Sequence, residues 1–153
     1  PDGLLVQREN PCKIAGYRSI AGSIGIRLAV VRDQVQHPSA VQLGVPNDCI
    51  QVYETYTDAA YAVRDGAVDA FASVARAHTG FLGQNPRLML DVVTIPASEK
   101  PPAFGSFAFA KADDSFRQSI DQALAMYLGS TEHRTMMRSF GFTDDEVGLV
   151  APG

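Results

Sequence analysis

The residue types that carry most enzyme chemistry occur in this chain, but not at the spacings that chemistry needs. Gly22-Ser23-Ile24-Gly25 lacks the spacing and the third glycine of a dinucleotide loop, and no Gly-x-x-x-x-Gly-Lys-Ser/Thr phosphate loop occurs. No Gly-x-Ser-x-Gly elbow is present to expose a nucleophilic serine. His37, His78 and His133 fall on separate segments, without His-x-x-x-His or Cys-x-x-Cys spacing, so no metal site is expected. Asp144-Asp145-Glu146 follows Thr143 as a helix-capping box does, which accounts for that acidic run without catalysis. Met136 and Met137 read as core positions, and no cofactor is implied.

Binding is better served than catalysis. In an open α/β sheet, ligands gather beyond the carboxyl ends of strands, where the following helices present free N–H groups. Two segments have that form. Val31-Arg32-Asp33-Gln34-Val35-Gln36-His37 leads into a helix around Pro38, whose missing N–H is harmless in a first turn. Ala72-Ser73-Val74-Ala75-Arg76 leads into another. Gln34, Val35, Gln36, Ser73 and Arg76 are therefore the candidate ligand contacts. The ordinary alternative stands beside each: Ser73 caps its helix, and Gln34 and Gln36 are solvated loop residues.

The elements that must position these residues alternate between short apolar runs and helical patterns, the signature of βαβ units around a largely parallel sheet. Strands are expected at 3–7, 26–31, 50–53, 70–74, 88–93 and 107–111. A helix is expected over 57–65, capped by Thr57, with Ala60 and Val63 on one face and Gly66 as its stop. A second runs over 75–84 and ends before Asn85-Pro86. Beyond the proline-rich stretch at 99–105 the pattern becomes helical. Asp113 and Asp114 open a helix with Phe116, Ile120, Leu124 and Tyr127 on one face, which Gly129 ends. Ser130-Thr131 begin another, ending at Gly141, before the capping box at Thr143.

Composition narrows the class. Of 153 residues, 46% are hydrophobic and 20% charged, as in a globular chain with a packed core. Thirteen Lys and Arg against seventeen Asp and Glu give a net charge of −4 with no basic cluster, so no nucleic acid is expected as partner. Apolar runs fall short of the roughly 18 residues a membrane helix requires. The chain opens on Pro1-Asp2-Gly3 without Met or a signal segment, and is expected to begin inside something longer or after processing. Cys12 and Cys49 permit one disulfide or two small buried apolar side chains.

Taken in order, these segments resemble the C-terminal two-thirds of the family-three extracellular solute-binding proteins, the polar-amino-acid type of periplasmic binding protein in ABC transport. Asp2-Gly-Leu-Leu-Val-Gln-Arg-Glu-Asn-Pro11 is similar to the crossover strand leaving lobe one. Ile20-Ala-Gly22 and Ile26-Arg-Leu-Ala-Val-Val31 resemble the entry to lobe two. The stretch from Tyr53 through Gly66-Ala-Val-Asp69-Ala70 resembles the family's alanine-rich helix and its Gly-x-Val-Asp-Ala run. Phe104-Gly-Ser-Phe-Ala-Phe-Ala-Lys-Ala-Asp113 resembles the return crossover, and the helices ending at Phe140-Gly141 resemble the family's tail.

The resemblance implies a type II periplasmic-binding-protein lobe: a central, mostly parallel sheet flanked by helices, plus C-terminal helices from the other lobe. Residues 1–10 would be the crossover strand, 11–103 lobe two, and 104–153 the return crossover and C-terminal helices. Most of lobe one, with its carboxylate-binding arginine, would precede Pro1. The implied setting is periplasmic or extracellular, and the implied partners are a small polar solute and an ABC permease. The C-terminal helices, lacking their usual bed, offer a surface for self-association.

Two departures bear on the ligand. The family's Gly-Thr-Thr or Asp-Thr-Thr is replaced by Asp33-Gln34-Val35, which removes hydroxyl donors. The acid that commonly meets an α-amino group falls on Val74, which cannot pair with ammonium. An ordinary α-amino acid is therefore disfavoured, and polyol, quaternary-amine and carboxylate solutes stay open, with Arg76 as a candidate anion contact. The same fold also serves as the sensor module of membrane kinases or cyclases, and hosts a dehydratase acting on prephenate-like acids. For an enzyme, Glu99 and Asp33 are the nearby carboxylates, neither with a supporting motif.

Overall fold

The computed structural model describes residues 1–151, so Pro152 and Gly153, the end of the expected C-terminal segment, lie outside the described residues. The chain divides into two compact units, Pro1–Phe104 and Gly105–Gly153. Unit 1 contains β1 (Asp2–Gln7), α1 (Tyr17–Ala21), β2 (Leu28–Val31), α2 (Gln36–Gln42), β3 (Ile50–Tyr53), α3 (Tyr56–Arg64), β4 (Ala70–Val74), α4 (Ala75–Gln84) and β5 (Leu90–Thr94). Its sheet has the order β3-β2-β4-β1-β5. β2 pairs in parallel with β3 and β4, whereas β1 is antiparallel to both β4 and β5. Four strands thus point one way and β1 runs against them: α/β, mostly parallel.

Side-chain alternation divides the core between the two faces of the sheet. Leu4, Val6, Leu28, Val30, Ala70 and Ala72 pack with Ile14, Tyr17 and Ile20 around α1, and with Ala40 of α2. Leu5, Ala29 and Phe71 pack on the other face against Ala59, Ala60, Ala62 and Val63 of α3. The alanines of α3 let that helix lie close to the strands. Asp69 fixes the amino ends of β2 and β4: its carboxylate accepts from the Arg27 amide at 2.7 Å and from Arg27 Nε at 3.1 Å. Partial burial pushes that carboxyl up, but the hydrogen bonds and charge of Arg27 prevail and hold it below the usual carboxylate range.

Several boundaries differ from expectation. Because the Arg27 amide is taken by Asp69, β2 begins at Leu28 rather than at residue 26. Residues Pro86–Leu88 form a 3-10 turn and Met89 adopts a left-handed φ of 55°, so β5 begins at Leu90. The cap of α3 is Thr55, not Thr57; its hydroxyl accepts from the Asp58 amide at 3.1 Å. The segment 107–111 is not a strand, since unit 2 holds no strand for it to pair with among the described residues. Both cysteines are free; Cys12 is exposed rather than buried, and Cys49 is half-buried against the core.

Unit 2 consists of α5 (Asp114–Tyr127), α6 (Thr131–Ser139) and α7 (Asp144–Gly148). Ser130 caps α6 by accepting from the His133 amide, and Thr143 with Glu146 forms the expected capping box of α7. Arg138 ties α6 to α7 through Asp144 at 2.7 Å. Along α5 no residue is buried within the unit, and Phe116 and Met126 are exposed.

Two buried contacts join α4 to the sheet of unit 1. A Cβ on Gly3 would lie 2.7 Å from Ala75 Cα, so only glycine admits the first turn of α4 beside β1. One turn later, the buried His78 ring meets the Gly3 carbonyl through Nε2 at 3.3 Å and the Tyr56 hydroxyl through Nδ1 at 2.6 Å. The carbonyl can only accept, which places the proton on Nε2 and leaves Nδ1 to accept from Tyr56. The Tyr56 ring also lies edge-on to Phe71 and Phe81, with centroids 4.9 and 5.0 Å away. Burial lowers the His78 pKa from 6.5 to about 4, so the ring folds neutral.

Two measurements test these contacts. Urea unfolding should show Gly3→Ala destabilised by about 1–3 kcal/mol. Gly83→Ala, whose Cβ enters open space within α4, should leave stability unchanged or raised. For His78, the unfolded chain binds a proton near pH 6.5 that the folded chain refuses until about pH 4. Stability present above pH 6.5 should therefore decline as pH falls from 6.5 toward 4, by up to about 3 kcal/mol. That part of the slope should vanish in His78→Gln.

Candidate functional site

The carboxyl ends of β2, β3 and β4 and the amino end of β1 meet at one edge of unit 1, since Asp2 pairs with Val74 and Val31 with Tyr53. After β2 the chain turns at once: the Gln34 amide donates to the Val31 carbonyl at 3.3 Å. The third residue of that turn, Asp33, sits at φ 61°. Aspartate tolerates this left-handed geometry better than most residues, and glycine carries it without strain. The position is the one where the family that this segment resembles usually has glycine or aspartate. Val35 then leads into α2 with no side-chain capping bond.

After β3, Glu54 meets the Arg32 side chain across the strand pair. Arg32 Nε lies 2.9 and 3.0 Å from the two carboxylate oxygens, a forked contact in which both groups remain exposed. Hydrogen bonds from Arg32 hold the Glu54 carboxyl below its usual range. Charge at this corner is thus neutralised from within the protein. After β4, Val74 leads into α4, again without a side-chain cap, and the Ala75 amide donates to the Pro1 carbonyl at 3.1 Å.

The sequence-derived candidates divide on this geometry. Gln34 and Val35 are exposed on the turn after β2, and Val35 is 64% accessible. With Asp33, His37 and Pro38 they line an open hollow of about 280 Å³. Ser73 and Arg76 are half-buried at the end of β4 and the start of α4, and Val74 between them is 46% accessible. Ser73 does not cap α4; the residue at the cap is Val74. Gln36 departs from its reading as a solvated loop residue. It is buried, and its amide donates to Asp2 Oδ1 at 3.2 Å.

The carboxylates weighed for catalysis have other partners or none nearby. Glu99 accepts from the amides of Tyr17 and Arg18 at the start of α1, and Asp33 lies exposed in its turn. Among the described residues, no three His, Cys, Asp or Glu side chains converge as a metal site. No helix there is long and apolar enough to cross a membrane. The edge presents Gln34 and two exposed valines, Val35 and Val74, to solvent. Sequence reasoning missed Arg32, Glu54 and Asp2. The first two were detectable as opposite charges each placed directly after a strand.

No protein-family model and no curated protein sequence matches the chain. Solved structures do match its fold. EhuB in complex with hydroxyectoine aligns with a TM-score of 0.74 at 19% identity, over 97% of this chain and 57% of that one. An ancestral arginine-binding protein bound to glutamine aligns at 0.55 and 16% identity, over 96% of this chain and 57% of that one. Domain 2 from TmArgBP aligns at 0.51 and 16% identity, over 61% of this chain and 94% of that domain. The chain thus spans little more than half the length of the first two. These neighbours are binding proteins rather than enzymes, and the fold shared with them is that of the periplasmic type II solute-binding proteins.

Proposed function

We propose that this chain is part of a solute-binding protein that delivers a small polar molecule to an ABC permease outside the cytoplasm. Residues 11–103 act as lobe two, and the edge built from 32–36, 54–56 and 73–76 is its wall of the ligand cleft. Residues 1–10 are the incoming crossover, and 104–153 are the return crossover and C-terminal helices. The observation that carries this reading is the convergence of three strand exits at one edge, with α2 and α4 both starting there without side-chain caps. Helix starts suit a carboxylate, and since the Ala75 amide is taken by the Pro1 carbonyl, that carboxylate is received later in the first turn of α4.

Side chains at the edge set the chemistry of the ligand. Gln34, Val35, Ser73, Val74 and Arg76 contact it, while buried Gln36 supports the loop from behind. No acid stands at Val74 to receive a primary ammonium, the nearby Glu54 already holds Arg32, and the exposed Asp33 is the carboxylate at this edge that faces the ligand's positive charge. The favoured solute therefore carries a carboxylate and either a quaternary or a ring-delocalised cation, rather than a free α-amino group. Hydroxyectoine, the ligand of the EhuB complex, is of that kind. With one wall of a cleft, affinity is weak. The exposed Phe116, Met126, Phe140 and Leu149 of unit 2 are a surface for self-association when no further polypeptide covers them.

A thermal-shift panel of hydroxyectoine, glycine betaine, L-glutamine and L-arginine tests the reading, because a ligand of the folded state raises apparent stability. Hydroxyectoine or betaine should stabilise the chain more than either amino acid. Val74→Asp should shift preference toward the amino acids by about tenfold, the scale of one charge-assisted hydrogen bond. An unshifted panel, or a wild-type preference for L-arginine that Val74→Asp leaves unchanged, would contradict it.

A further inference from the structure

One carboxylate in unit 1 collects donors from three separate stretches of chain. The Asp2 side chain is 10% accessible. Its Oδ2 accepts from the Tyr17 hydroxyl of α1 at 3.1 Å and from the Lys100 ammonium, and its Oδ1 accepts from Gln36 Nε2 at the first position of α2. Its carbonyl accepts from the Ile95 amide at 3.0 Å, just beyond β5. Burial, followed by the charge and hydrogen bond of Asp2 and the charge of Glu99, pushes the Tyr17 phenol up, so it remains a donor. A buried carboxylate needs such partners; with one removed, the rest must rearrange or the charge must find water.

The geometry points to Asp2 as a positioning residue for the ligand loop at 32–36, coupling that loop to the segments where the chain enters and leaves unit 1. Three observations combine. Gln36 is 2% accessible and follows Gln34 and Val35 directly, so the Asp2–Gln36 bond sets where the exposed turn ends and α2 begins. α2 has neither a side-chain cap nor an acidic residue in its first turn; its start is held by the local bonds of His37 to Gln34 and of Ser39 to Val35, and the Asp2–Gln36 contact is the side-chain bond there that reaches another part of unit 1. Asp2 and Lys100 lie near opposite ends of unit 1, Pro1–Phe104, and their ion pair binds those ends to one point. Displacing either end moves Asp2, and Asp2 moves Gln36. This deepens the proposed binding function and takes from it the role of the 32–36 loop, but the loop's placement is measurable without ligand.

The experiment compares hydrogen exchange in the full chain for wild type, Asp2→Asn, Gln36→Met, Lys100→Met and the conservative Lys100→Arg, with global stability from urea unfolding. The hydrogen-bonded amides of Gln34, His37 and Ser39 should exchange at least about tenfold faster in the first three variants, beyond any change at Leu28–Val30, and Lys100→Arg should restore protection. A purely structural role would speed both regions alike, in step with the loss of global stability, and would overturn the assignment. If Asp2→Asn fails to fold, Gln36→Met and Lys100→Met decide the matter by the same comparison. Hydroxyectoine titration then separates the two ideas. Faster loop exchange with weakened binding supports both, whereas faster loop exchange in a chain that binds no solute keeps the positioning role and rejects the ligand.

Discussion

β1 runs against the other four strands of the sheet, and both halves of the unit 1 core meet through it. Leu4 and Val6 point to the face covered by α1 and α2, while Leu5 points to the face covered by α3. Its antiparallel ladders to β4 and β5 join strands that would otherwise share no edge. A strand in that position is buried on both faces, which its Gly-Leu-Leu-Val composition allows. It also imposes demands on its neighbours. Gly3 must lack a side chain for α4 to approach, and its carbonyl must find the His78 ring. Asp2, at the strand's amino end, must be neutralised by donors from α1, α2 and the segment after β5.

Those demands all fall near the edge where the candidate ligand residues lie. The starts of α2 and α4 are held from behind, by Asp2 through Gln36 and by the Pro1 carbonyl through the Ala75 amide. Side-chain caps are absent from both. A helix start held by tertiary contacts needs no side-chain cap of its own. At the β2–β3 corner the Arg32–Glu54 fork satisfies both of its charges within the protein. Helix α3 differs: Thr55 caps it, and its first turn faces the aromatic contact with Phe71 and His78.

Local pattern in the sequence carried much of this fold. Strands at 50–53 and 70–74 and the helix at 75–84 stand where apolar runs and breakers place them. The capping box at Thr143 and the stop at Gly66 follow from short-range chemistry of the same kind. Where a boundary depended on a distant partner, pattern failed. Arg27 looks like part of a strand until Asp69, 42 residues away, claims its amide. Residues 107–111 alternate like a strand but have no neighbour in unit 2 to pair with. Gln34, Val35, Ser73, Val74 and Arg76 could be gathered because strand exits in an α/β sheet share an edge. That Gln36 turns inward was not legible, because its partner Asp2 lies 34 residues upstream.

The account rests on that edge being where a solute binds. The most direct measurement is a titration of the ¹⁵N-labelled chain with hydroxyectoine, followed by amide correlation spectra. The account predicts saturable shifts confined to amides of 32–36, 54–56 and 73–76, with those of unit 2 unmoved. Spectra that stay unchanged throughout the titration, or shifts that cluster away from those three segments, would contradict it.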